Sequence, residues 1–145
     1  MDSIGRKRIN TERCVWSHLM AIKQRRTQQK EAIENAFTET PRALTVPEVH
    51  ERALSSCPGL GVATVYRSVN RLVSAQWLRE VRLPDQPVRY ERADLDHHHH
   101  FHCDSCELVL DVKAPCEPLA HHLPDGFSAR RHEVIFYGVC GDCSA

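Results

Sequence analysis

The chain has no apolar run near the ~20 residues that a bilayer-spanning helix needs, so no membrane span is expected. Arg6, Lys7 and Arg8 near its start are followed by no apolar core, so no secretory signal is expected either. No HExxH occurs, which removes the helical zinc-protease signature. Apart from a run of histidines there is neither an internal repeat nor a low-complexity segment. At 41% hydrophobic and 26% charged residues, the composition is that of a globular protein rather than a disordered one. A cytoplasmic location follows as the expectation. In that reducing compartment the seven cysteines are metal ligands or free thiols rather than disulfides.

A formal net charge of zero hides a division. Residues 1–83 hold 14 Lys/Arg against 8 Asp/Glu, and residues 84–145 hold 5 against 11. A basic half beside an acidic, ligand-rich half suggests a polyanion-binding module joined to a metal-binding one.

Residues 1–12 are polar and expected to be disordered. Val15, Trp16, Leu19, Met20 and Ile22 recur at helical spacing, and a second helix fits Gln28 to Phe37. A third starts at Thr45-Val46-Pro47-Glu48, where Thr45 can cap, Glu48 can return the bond and Pro47 needs no N–H. After the turn Cys57-Pro58-Gly59-Leu60-Gly61, a fourth helix runs from Val62 to about Ala75. Trp77–Leu83 and Val88–Arg92 read as strands joined by Pro84-Asp85-Gln86-Pro87. Helices followed by a two-stranded hairpin form the plan of a winged helix, expected over residues 1–92. Residues 93–145 form the second expected domain. It has strands around His97–His102 and Glu107–Val112, a helix around Cys116–His122 and a strand over Ser128–Val139. About 50 residues cannot easily support an isolated core, so a structural metal or a partner subunit is expected there.

On a helical wheel Val62, Val65, Val69, Leu72 and Val73 share one side, and Thr64, Arg67, Ser68 and Arg71 the other. Two guanidinium groups and two hydroxyls suit phosphates and major-groove base edges. Arg25, Arg26 and Lys30 add charge for the flanking DNA backbone. The wheel puts Tyr66 at the edge of the apolar side, as a core residue.

Cys103, Cys106, Cys140 and Cys143 form two CxxC knuckles. Two sulfurs three residues apart fold back onto one ion, and four thiolates close its shell, which points to a structural zinc. Upstream lies His97-His98-His99-His100. In a strand, successive side chains point to opposite faces, so His97 and His99 share one face and His98 and His100 the other. The run therefore suits two sites. Glu91 can join His98 and His100, and Glu117 and His132 can join His97 and His99. Mixed imidazole and carboxylate ligands accept Zn(II), Fe(II), Mn(II) or Co(II).

From about Arg25 to Cys143 the chain resembles the ferric uptake regulator family of metal-dependent transcriptional regulators. The resemblance rests on Arg26-Thr27-Gln28-Gln29, Gly61-Val62-Ala63-Thr64-Val65-Tyr66-Arg67, His97 to Cys106, and Tyr137-Gly138-Val139-Cys140-Gly141-Asp142-Cys143. It implies an α+β protein, a winged helix followed by a small α/β dimerisation domain with a four-cysteine zinc. It further implies a homodimer that binds a palindromic operator in double-stranded DNA when metal-loaded, usually repressing. Tyr66 and Arg67 become DNA contacts, joined in our reading by Thr64, Arg71 and Arg26. Glu91, His98 and His100 become a hinge sensor, and His97, His99, Glu117 and His132 a second site. Many members add a sensor histidine just before the third helix, where this chain has Arg42-Ala43, and His50 is an available substitute. Peroxide-sensing members carry an aspartate where this chain has Arg92.

The expectation is a non-enzymatic repressor of zinc- or iron-uptake genes, with structural Zn2+ and a regulatory Zn2+ or Fe2+, Mn2+ also being compatible. The alternatives are a zinc-stabilised metal buffer without DNA binding, and a family member that senses peroxide or haem.

Overall fold

The computed structural model describes residues 11–113 and 123–145, with side chains from residue 19 onward. The expected disorder of residues 1–10 and the expected helix around Cys116–His122 lie outside the described residues. Thr11 and Glu12, placed with the disordered start, are already helical.

The two expected N-terminal helices are one. Helix α1 spans Thr11–Thr38, because no glycine or proline interrupts that segment. Its C-terminal part buries Ala32, Ile33, Ala36 and Phe37, whereas Leu19, Met20 and Ile22 stand exposed. Helix α2, Val46–Ser56, starts as expected. The Thr45 hydroxyl accepts from the Glu48 N–H, and the Thr45 N–H donates to Glu48 Oε2 at 2.8 Å. One face of α2 buries Val46, Val49 and Ala53.

Helix α3, Val62–Ser74, buries Val65 and Val69, one turn apart. It ends in a Schellman turn: Trp77 N–H bonds the Leu72 carbonyl, Gln76 N–H bonds that of Val73, and Gln76 takes φ 58°. That turn lays Trp77 edge-on against Phe37, with ring centroids 6.3 Å apart, and closes the three-helix core.

Strands β1 (Leu78–Val81) and β2 (Arg89–Arg92) form the antiparallel wing, shorter than the sequence suggested. Leu44 and Tyr90 exchange two backbone bonds of 2.8 Å, fastening the segment before α2 to the wing. Strands β3 (His99–Cys103), β4 (Val109–Val112) and β5 (Ile135–Gly138) form a second sheet in the order β4-β3-β5. β3 pairs antiparallel with β4 and parallel with β5. The strand expected over Ser128–Val139 is thus confined to its end. The architecture is the expected α+β arrangement of a winged helix and a small sheet.

Wing and second sheet share an apolar cluster of Ala43, Val81, Leu83 and Val109, with Ile135 packed against it. The buried Arg89 lies beside it. Its guanidinium donates to Glu48 Oε2 (2.9 Å), to the Ala43 carbonyl (3.4 Å) and to the Glu107 carbonyl (3.4 Å). Ala43, the position without a histidine, is therefore a packing contact whose carbonyl anchors a cation.

Candidate metal centres and nucleic-acid face

Parallel pairing places the ends of β3 and β5 side by side, with Cys103 in register with Gly138. Each strand runs directly into a CxxC turn, so the four sulfurs of Cys103, Cys106, Cys140 and Cys143 converge within 4.8 Å of one another. The Cys140 N–H donates to Cys103 Sγ at 3.3 Å, which holds that thiol down to about 6. Sulfur contacts with Cys140 and Cys106 push Cys143 up to about 12. Four thiols this crowded cannot all ionise without a cation among them, and an all-sulfur tetrad suits zinc.

The histidines divide as strand alternation requires. His97, His99 and His132 form one group, with His97 Nε2 and His132 Nε2 3.2 Å apart. Burial, with His97 and His132 nearby, lowers the pKa of His99 and keeps the ring in its neutral, ligating form. Glu117, the fourth expected member, lies outside the described residues.

The other face gathers Glu91 from β2, His98 and His100 beside and within β3, and Asp111 from β4. Glu91 Oε2 lies 3.1 Å from His98 Nε2 and 3.4 Å from His100 Nε2. The Nδ1–H of His98 donates to the Asp96 carbonyl at 2.8 Å. With that proton placed, a neutral His98 turns its Nε2 lone pair toward a carboxylate oxygen. Two acceptors at that separation call for a proton or a cation between them. Asp111 repeats the signal: its buried Oδ1 has no hydrogen-bond partner among the described residues and lies 3.9 Å from His100 Nε2. Burial first, and then the Glu91 charge, raises the Asp111 pKa. Burial would raise Glu91 as well, but bonds from His100 and Arg79 outweigh it and hold that carboxyl at about 2. The donor set fits a divalent cation of borderline softness.

Asp111 was not anticipated. Its signal was present, a carboxylate within the apolar strand β4, but only the β3–β4 register sets it opposite His100. His50, the suggested substitute, is elsewhere: its Nε2 lies 2.7 Å from the Leu60 carbonyl in the turn before α3.

In the winged helix, α1 and α3 line a groove of about 530 Å3 with Arg26, Gln29, Lys30, Thr64, Arg67 and Arg71. Arg67 Nη2 donates to Thr64 Oγ1 at 3.3 Å. Arg25 instead lies on another side of α1, beside Cys57 and Pro58. Two wheel assignments are corrected. Tyr66 is 49% exposed and Val62 is 46% exposed. The start of α3 projects beyond the core, so Val65 and Val69 carry the packing there.

A profile of the ferric uptake regulator family matches residues 22–137. The chain is 31% identical over 123 residues to the transcriptional regulator FurA of Mycobacterium tuberculosis, spanning 81% of this chain and 82% of that protein. The iron-containing ferric uptake regulator of Francisella tularensis aligns with a TM-score of 0.69 at 21% identity, covering 100% of this chain and 99% of that one. FurB of M. tuberculosis, a zinc uptake regulator, aligns with a TM-score of 0.50 at 27% identity, covering 86% and 98%.

Proposed function

The chain belongs to the ferric uptake regulator family, and on that premise we propose that it is a cytoplasmic, metal-dependent transcriptional repressor of zinc- or iron-uptake genes. It binds a palindromic operator as a homodimer. The observation that carries this reading is the position of the Glu91–His98–His100–Asp111 cluster. Its ligands come from both sides of the junction, Glu91 from the wing, His98 and His100 from beside and within β3, and Asp111 from β4. Residues 1–92 act as the DNA-binding unit and residues 93–145 as the metal-binding, dimerising one.

The four cysteines hold a structural zinc that fastens β3 to β5. A divalent ion at the hinge cluster, Zn2+ or Fe2+ with Mn2+ also accepted, supplies positive charge to two carboxylates and two imidazoles. A cation there would relieve the like-charge repulsion between Glu91 and Asp111 and so strengthen the docking of the wing against the sheet. His97, His99, His132 and Glu117 form a second site. Binding at the hinge then shifts the population toward the domain angle that fits DNA.

Arg67, Arg71 and Arg26 meet phosphates and base edges along the groove, and Tyr66 and Thr64 project from the same region of α3. A two-fold arrangement of two such helices reads a palindrome. Exposed Phe136 and Tyr137 on the edge strand β5, with Val139 just beyond, supply an apolar surface for the second copy.

The test is selection of duplexes from a randomised pool by the protein loaded with Zn(II), Fe(II) or Mn(II), followed by gel shifts. Enrichment of a palindrome that depends on one of these metals and on Arg67 supports the reading. Metal binding without any selected duplex replaces it with the metal buffer.

A further inference from the structure

We propose that Arg79 is the internal counter-cation of the hinge cluster: it occupies Glu91 when no metal is bound and so sets the metal concentration at which the cluster fills. This rests on the proposed sensor role of that cluster.

Wing pairing sets Arg79 opposite Glu91, so both side chains rise from the same face of the hairpin. The Glu91 carboxylate is 2% exposed, and its two oxygens divide their partners. Oε1 takes the Arg79 Nε–H at 2.5 Å, while Oε2 faces His98 and His100. A carboxylate buried this deeply needs a compensating charge at all times. In the metal-free protein Arg79 is that charge. A guanidinium does not deprotonate in the working pH range, so the compensation is permanent. Among the described residues Asp111 has no comparable partner: its Oδ1 is left without a hydrogen bond. Of the cluster's two carboxylates, Glu91 is the one that Arg79 bonds directly.

The consequence has a definite sign. Arg79 stabilises the metal-free state by pairing with Glu91. In the loaded state the ion neutralises Glu91, and Arg79 becomes a like charge beside it. Removing Arg79 therefore destabilises the metal-free protein more than the loaded one, and metal must bind more tightly. A residue that only shaped the site would act in the opposite direction, since its loss would weaken binding. The Arg79 side chain is 41% exposed, so its head lies at the rim of the cluster, where it can yield to solvent.

The experiment uses the full chain with its four-cysteine zinc retained, in a His132→Ala background that removes the three-imidazole group. Mn(II) binding is followed by the EPR signal of free Mn(II) at constant pH. Arg79→Met is expected to tighten binding on the order of tenfold, and Arg79→Lys to stay close to the parent. The thermal midpoint of Arg79→Met should fall when metal-free and fall less at saturating Mn(II). Equal or weaker Mn(II) binding by Arg79→Met overturns the proposal. Should Arg79→Met not fold, Arg79→Gln carries the same comparison, keeping a donor without the charge. If the parent lacks a binding step that His98→Ala abolishes, the sensor reading fails and the Arg79 role with it. If that step is present but does not tighten, only the Arg79 role fails.

Discussion

Asp111 stands opposite His100 in the pairing of β3 with β4, its Oδ1 3.9 Å from His100 Nε2 and without a hydrogen bond among the described residues. A buried acceptor left open at such a point is costly unless a cation completes it. Asp111→Ala is therefore expected to weaken hinge metal binding at least tenfold, the lower range for losing a ligand or its support. His50→Ala should leave it unchanged. Metal titration of the two variants checks both, and a loss confined to His50→Ala would return the fourth ligand to α2.

Arg89 joins Glu48 of the capping box to the Glu107 carbonyl beside the first cysteine knuckle. Replacing it leaves Glu48 with Arg42 as its remaining cation among the described residues and removes the bond to the Glu107 carbonyl, while the Ala43 carbonyl keeps its bond from Arg42. Arg89→Met should destabilise the protein by about 2–3 kcal/mol, at or below the usual cost of breaking a buried pair because Glu48 is partly exposed. Urea unfolding gives the magnitude. Faster amide exchange at Glu48, relative to the core of α3, gives the location.

Burial, with His97 and His132 nearby, lowers the pKa of His99, so its protonated form is favoured in the unfolded chain. The stability that depends on neutral His99 is present above the unfolded value of about 6.5 and is lost as pH falls below it. An NMR titration of the metal-free group should place His99 below that value. In His97→Ala/His132→Ala it should move part of the way back, since burial remains.

Arg67 and Arg71 line the α1–α3 groove. As phosphate contacts, each should lower the salt slope of DNA binding by about one when changed to alanine. As base contacts, each should relax the preference at one position and cost roughly 1–3 kcal/mol there. Titrations at several salt concentrations on selected and scrambled duplexes separate the two roles for each residue.

Cys103 closes β3 and receives the Cys140 N–H, so it belongs to both knuckles' geometry. Cys103→Ser should release zinc and unfold the second sheet while the three-helix core around Ile33, Val49, Val65 and Val69 persists. Bound zinc by metal analysis and exchange protection in the two regions test this. A folded, zinc-free sheet would refute the structural role.

The parts legible in the sequence were those written in local spacing. The capping box at Thr45 and Glu48, the alternation that splits His97 and His99 from His98 and His100, and the two knuckles each need only neighbours along the chain. Apolar residues at 15–22 and 32–37 give separate signals and so suggest two helices where the structure has one. The polar stretch between them, free of glycine and proline, simply continues the helix. Tyr66 defeated the wheel because a wheel assumes packing along the whole length of α3, and its first turn has none at Val62.

The sequence by itself determined the ligand types, their pairing on strand faces and the family to which the chain belongs. Tertiary structure alone decided that Asp111 joins Glu91 at His98 and His100, and that Arg79 bonds Glu91. The sites of Asp111 and Arg79 depend on strand register, and that of Arg89 on how the wing docks against the sheet. Register and docking come from burying apolar faces between segments far apart in the chain, and no local spacing encodes them.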